Sequence, residues 1–128
     1  MTQQTFVLNS FDGIDACLLS YTGADASYPF GEGARVYKVA NKMFALVGES
    51  ASSGEALSVT LKGPTVQNEL LARDFLAINP GYHMNKQHWI TVTLDGSIED
   101  ALLEELVAES YDLVFRSLPK RVREAMDS

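Results

Sequence analysis

The segment Pro80-Gly81-Tyr82-His83-Met84-Asn85-Lys86-Gln87-His88-Trp89 gathers both histidines and the only tryptophan of the chain, with a lysine and an amide between them. Such polar and aromatic crowding suits a surface that touches something better than it suits a core. Lys86 offers a mobile positive charge to a phosphate or carboxylate. His83, Asn85 and His88 offer polar contacts. Tyr82 and Trp89 offer flat amphipathic rings that stack on a base or anchor a protein partner.

Each group also has a plainer reading. Two imidazoles suggest a metal, but His83 and His88 are an odd number of residues apart. They fall on opposite faces of a continuous strand unless a turn intervenes. Beyond Asp95 no third ligand is near, and zinc sites need a closer, better-defined set; no metal site and no cofactor are assigned. Trp89 alternates with Ile90. If Ile90, Val92 and Leu94 form the core set, Trp89, Thr91 and Thr93 share the opposite face. Otherwise Trp89 joins a secondary cluster with Tyr82 or Tyr37. Further cations stand at Arg35 and Lys38 in an early strand, Lys42 at a hairpin, Lys62 at a strand end and Lys86 at a second hairpin. Lysines so placed can reach phosphates or simply guard strand edges. Gly31 and Gly33 lack the context of a phosphate-binding loop. No Ser/His/Asp arrangement is legible, so no catalytic residues are assigned and a non-catalytic protein is expected.

The elements that must position these groups follow from composition and period. A chain of 128 residues that is 46% hydrophobic can fill one core, and a single domain is expected. No apolar run approaches membrane-spanning length. The start Met1-Thr2-Gln3-Gln4 lacks the basic region of a secretion signal, and the single cysteine, Cys17, allows no internal disulfide. A soluble cytoplasmic protein without membrane partners is expected. Cys17 stands among Ile14, Leu18 and Leu19 and reads as a small buried hydrophobe. The net charge of −7 argues against strong nonspecific nucleic-acid binding. Much of that charge is local, however: Glu99, Asp100, Glu104, Glu105, Glu109 and Asp112 share one late helical stretch.

Val7, Phe11, Ile14, Leu18 and Tyr21 form an apolar helical stripe, with Ser10 an alternative start and Thr22-Gly23-Ala24 the stop. Strands are expected over 34–40 and 43–47 around an Asn41-Lys42 turn. After a polar loop over 48–55, Leu57, Val59 and Leu61 alternate with Ser58, Thr60 and Lys62 as a strand with one polar face. Pro64 opens a helix whose apolar pairs are Val66 with Leu70 and Leu71 with Phe75. A hairpin follows, with strands over 82–84 and 88–94 and a turn near Asn85-Lys86. Ser97 is expected to cap the last helix, which buries Leu102, Leu103, Leu106, Val107, Leu113 and Val114. An Asp112–Arg116 pair lies on its outer side, and Pro119 ends it or starts a short final turn. The order α-β-β-β-α-β-β-α implies an α+β two-layer sandwich, a mostly antiparallel sheet with helices on one face.

Taken in order, several pieces resemble the MmcQ/YjbR-like family of small bacterial proteins. They are Tyr28-Pro29-Phe30-Gly31, Val36-Tyr37-Lys38-Val39, Lys42-Met43-Phe44-Ala45-Leu46, Leu61-Lys62, Pro80 to Lys86, His88-Trp89, Asp95-Gly96, Ser110-Tyr111 and Leu118-Pro119-Lys120. The resemblance implies a fold similar to CyaY or to secretion chaperones. It also implies DNA binding through a double-wing arrangement. Thr22-Gly23-Ala24 departs from the Pro-Gly-Ala usual there.

Two functions are expected from these residues. One is weak DNA binding, with Lys38, Lys42, Lys62 and Lys86 near phosphate and Tyr82, His83, Asn85, His88 and Trp89 adding polar and stacking contacts. The other is a protein-interaction or chaperone-like adaptor using the open sheet face around Tyr82 and Trp89. A positive patch around Trp89 favours the first; an apolar patch with an acidic rim favours the second.

Overall fold

A computed structural model of the protein describes residues 7–49, 56–81, 85 and 87–127. Among these residues the order is α1 (Phe11–Leu19), β1 (Ala24–Ser27), β2 (Ala34–Val39), β3 (Lys42–Gly48), β4 (Ser58–Lys62), α2 (Thr65–Asp74), β5 (Ile78–Pro80), β6 (Trp89–Thr93), α3 (Asp100–Arg116) and α4 (Lys120–Asp127).

Ser10 caps α1, accepting from the Gly13 backbone at 3.1 Å while its hydroxyl donates to the Val7 carbonyl. The cap draws the chain so close that a Cβ on Gly13 would lie 1.7 Å from the Val7 oxygen. Gly13 therefore permits the tight entry as well as weakening the helix. Val7 lies outside the stripe and is exposed, whereas Ile14, Cys17 and Leu18 are buried.

Six strands form one antiparallel sheet in the order β1-β2-β3-β4-β6-β5. The helix-facing core contains Tyr37, Val39, Ala45, Val47, Val59, Leu61, Ile90 and Val92, with Leu103, Leu106, Val107 and Val114 of α3. A bulge between Tyr37 and Lys38 moves the pairing from Ala45 to Met43 and leaves Phe44 unpaired. Phe44 turns to the helices, where its ring meets Tyr21 and Tyr111. The opposite face carries Ser27, Val36, Leu46, Thr60 and Thr91 along one row of cross-strand partners. Val36 and Thr60 are buried on that face, outside the core cluster. The α+β architecture with helices on one face is thus as the element order implied.

Several boundaries differ from the sequence reading. The first hairpin turns at Ala40-Asn41, both with positive φ (48° and 68°), so Lys42 begins β3 instead of sitting in the turn. That is the left-handed pair a two-residue hairpin loop requires. The helix stop at Thr22-Gly23-Ala24 leads straight into β1, an edge strand whose Ala24 and Ala26 pack inward. The short strand beside β6 is Ile78–Pro80; the expected strand over 82–84 lies outside the described residues. Ser97 does not cap α3: its amide and hydroxyl both donate to Asp95, and Glu99 precedes the helix without a side-chain cap. Val66 and Leu70 do not pack inward but face solvent. Leu113 is only half-buried.

Candidate functional site

β6 is the strand that decides which way Trp89 points. Ile90, Val92 and Leu94 are buried in the core. The strict alternation of a strand then places Trp89, Thr91 and Thr93 on the face away from the helices. The Thr60 and Thr91 hydroxyls meet across β4 and β6 at 2.8 Å, confirming a shared face. Trp89 is half-buried and pairs with Lys62 of β4. The Lys62 ammonium lies 6.0 Å from the centre of the Trp89 ring, at the reach of a cation–π contact.

The same face continues through Lys38, which pairs with Met43 on one side and Asp25 on the other. Lys42 is exposed at the rim where β3 begins. Lys38, Lys42, Lys62 and Trp89 therefore all stand toward one end of the sheet. Among the described residues none of these three lysines forms an ion pair. The carboxylates Glu104, Glu105, Glu109 and Asp112 are carried by α3, in the layer on the other side of the sheet.

Three residues that the sequence reading did not assign to the site hold this edge in place. Ser110, fully buried on α3, accepts from the Lys62 amide at 2.8 Å and donates to the Phe44 carbonyl at 2.6 Å. It ties the end of β4 to the helix layer where the bulge disturbs the ladder. Asn68, buried on α2, donates to the carbonyls of Gly63 and Gln87 at 2.9 and 3.1 Å. It clamps the entry to α2 against the approach to β6. Its other amide atom, Oδ1, sits where a Cβ on Gly63 would be, 2.5 Å away, so only glycine fits beside it. Gly81 donates its amide to the Trp89 carbonyl at 2.7 Å, and a Cβ there would approach the Trp89 Cβ to 2.7 Å. Pro80-Gly81 thus lies directly against the base of the tryptophan. Ser110 and Asn68 each interrupt an apolar helical face with a polar residue, the signal by which they could have been noticed.

Asn85 closes the turn before β6: its side chain accepts from the Gln87 amide at 2.9 Å and its carbonyl accepts from the amides of His88 and Trp89 at 3.1 Å. Asn85 and His88 are exposed beside Trp89. Tyr82, His83 and Lys86 lie outside the described residues. Of the nine residues singled out, six are thus placed, all on the open face or its rim. No group of three metal-ligating side chains occurs among the described residues.

A second cation–aromatic cluster sits on the helix side. Arg35 lies over the rings of Tyr28 and Tyr37, 5.3 and 5.6 Å from their centres. Its Nε donates to Asp15 of α1 at 2.8 Å, and the Tyr37 hydroxyl donates to the same oxygen at 2.6 Å. Burial and the Asp15 carboxylate push the Tyr37 phenol well above its ordinary range. Burial works against the Arg35 charge, but the Asp15 hydrogen bond more than restores it. Cys17 is pushed up to about 11 by burial and by Glu104, which leaves it a neutral thiol.

A six-stranded antiparallel sheet, helices on one face and a lysine–tryptophan edge on the other define the class: a two-layer α+β protein whose second sheet face carries no helix among the described residues. The chain belongs to the YjbR family, whose profile matches residues 19–113. It is 35% identical over 104 residues to the uncharacterized protein YjbR of Escherichia coli K12, covering 81% of this chain and 86% of that one. It is 37% identical over 94 residues to the uncharacterized protein YbdF of Escherichia coli O157:H7, covering 73% and 75% of the two chains. The crystal structure of Deinococcus radiodurans protein DR2400 superposes with a TM-score of 0.82 at 31% identity, over 92% of this chain and 88% of that one. A Pseudomonas syringae protein gives 0.66 at 26% identity, over 78% and 93%. Among the described residues no helix is long and apolar enough to cross a membrane.

Proposed function

We propose that the chain is a weak, non-catalytic DNA-binding module that uses the open sheet face at the Trp89 end. The observation that carries this reading is the Lys62–Trp89 pair: a cation without a carboxylate partner among the described residues, resting over an aromatic ring on the face away from the helices. Lys38 and Lys42 extend the positive charge along the same end, while the acids of α3 lie beyond the sheet. Asp25, the cross-strand partner of Lys38, shares this face, but the sheet separates the face from the acids of α3, so the net charge of −7 weakens binding without abolishing a local positive surface. In this reading Lys38, Lys42, Lys62 and Lys86 meet phosphates. Trp89 stacks on an exposed base, and Tyr82, His83, Asn85 and His88 add polar contacts.

With so few cations, affinity should fall in the nonspecific range of about 10⁻⁴ to 10⁻⁶ M and weaken steeply with salt. Fluorescence anisotropy with single- and double-stranded oligonucleotides at low and moderate salt tests this directly. Absence of binding at low salt would remove the DNA reading. It would favour instead a protein adaptor, the use suggested by Met43 and Leu46 on the same face.

A further inference from the structure

A helix that packs on a sheet normally hides its large apolar residues, yet α2 turns only Leu71 and its C-cap Phe75 toward the core. Its fully buried residue is Asn68, while Val66 is 68% exposed, Leu70 44% exposed, and Leu76, just past the helix, entirely exposed. Val66 and Leu70 are four apart and form one ridge. One helical position round from that ridge, Gln67 and Leu71 line a cleft of about 260 Å³ between α2 and α3. Leu71, Leu102 and Leu106 supply its apolar lining, and Gln67, Glu105 and Glu109 its polar lip. Gln67 donates to Glu109 across the cleft. Among the described residues neither Glu105 nor Glu109 has a cationic partner.

We infer that this ridge and cleft dock a basic amphipathic helix of a partner protein. Its apolar side chains would enter between Leu71, Leu102 and Leu106 and cover Val66 and Leu70. Lysines or arginines on its flanks would meet Glu105 and Glu109. Charge complementarity selects this occupant: an acidic lip around an apolar floor rejects nucleic acid and acidic peptides and steers cations. A second copy of the chain is a poorer fit. The basic helix α4 turns Val122 and Met126 to its own core and has no comparable apolar face to offer. The surface is distinct from the Trp89 face, which lies on the other side of the sheet, and the inference does not depend on DNA binding.

The test uses a fluorescently labelled synthetic helix of about four turns, with leucines at i, i+3, i+4 and i+7 and lysines on the flanks. A scrambled peptide of the same composition and an acid-for-lysine version serve as controls. Anisotropy with the intact chain should show saturable binding of the basic helix alone. Leu70→Asp, and separately the double variant Glu105→Lys with Glu109→Lys, should each weaken binding by about tenfold or more. Trp89→Ala should leave it unchanged. Leu70 and Glu105 are surface positions, and melting curves would confirm that both variants fold; Val66→Asp provides an independent check on the ridge. Equal binding of the scrambled peptide, no binding of the basic helix, or affinity unmoved by these substitutions in folded protein would each overturn the inference.

Discussion

Among the described residues two cations rest over aromatic rings, and they do so in opposite ways. Arg35 lies between Tyr28 and Tyr37, but its charge is answered by Asp15 at 2.8 Å, and Tyr37 is fully buried. Lys62 lies over Trp89 on the face away from the helices, with no carboxylate answering it among the described residues. The first cluster is a closed circuit. Every strong group has its partner, and the result is a brace between α1 and β2. The second is an open one, with charge and ring surface left for something outside the molecule. The ring and the cation are common to both; the carboxylate is what separates the braced cluster from the one proposed to bind.

The largest effect expected from this contrast is on stability, at the closed cluster. Asp15→Ala should leave the Arg35 charge and the buried Tyr37 hydroxyl without their shared acceptor and cost about 2–3 kcal/mol. Denaturant unfolding would measure it. The substitution should leave the oligonucleotide affinity of the folded protein unaltered. A loss of affinity would mean that the brace and the open face are coupled.

Next comes Gly81→Ala. A methyl group there meets the Trp89 Cβ and carbonyl at 2.7 and 3.0 Å, both within van der Waals separation. The strand edge must shift, costing about 1–3 kcal/mol and weakening binding through displacement of the ring. Binding unchanged in the presence of such destabilisation would detach Trp89 from the proposed surface.

A pH effect of about one to two kcal/mol belongs again to the buried side. The Cys17 thiol rises from an ordinary 9.0 to about 11 in the folded chain. Folding therefore favours the protonated form. Its contribution is complete below pH 9 and is lost as pH climbs toward 11. Tyr37, also raised by burial, adds to the same alkaline loss above the ordinary tyrosine value of 10.0. Urea midpoints measured from pH 8 to 11 should fall, and Cys17→Ser should flatten part of the slope. A midpoint independent of pH across that span would contradict the burial of these groups.

The smallest stability effect should come from Lys62→Ala, within about 0.5 kcal/mol. Its effect belongs to binding: the slope of log affinity against log salt should shrink by about one contact. If the slope holds while affinity falls, Lys62 acts by supporting the Trp89 ring and not by meeting phosphate.

What the sequence made legible follows the strength of local pattern. Alternation in Trp89-Ile90-Thr91-Val92-Thr93-Leu94 separated the two faces of β6 before any coordinates, because a strand buried on one side imposes a period of two. The Ser10 cap was visible as an alternative start to the apolar stripe. Strand β1 was not visible, since Ala24-Asp25-Ala26-Ser27 has little strand preference and is held by pairing with β2. The helix α4 shows only Val122 and Met126 as large apolar residues and reads locally as a polar tail. The i,i+4 spacing of Val66 and Leu70 told that they share a face, not whether that face is covered, and the face is exposed. Within the site, alternation set Lys62 and Trp89 each on the polar face of its strand; that Lys38 shares that face came from the pairing of β2 with β3. The supports did not: Ser110 reaches Phe44 across 66 positions, and Asn68 reaches Gln87 across 19. Such long-range side-chain bonds to backbone leave no periodic trace.

The central claim is that the open face meets DNA through Trp89, and the chain supplies its own reporter because it has a single tryptophan. Intrinsic fluorescence titrated with a short single-stranded oligonucleotide at low salt should show saturable quenching as a base stacks on the ring, reversed by added salt and weakened by Lys62→Ala. A tryptophan signal that stays flat while anisotropy of the same oligonucleotide reports binding, or the absence of any binding at low salt, would contradict the account.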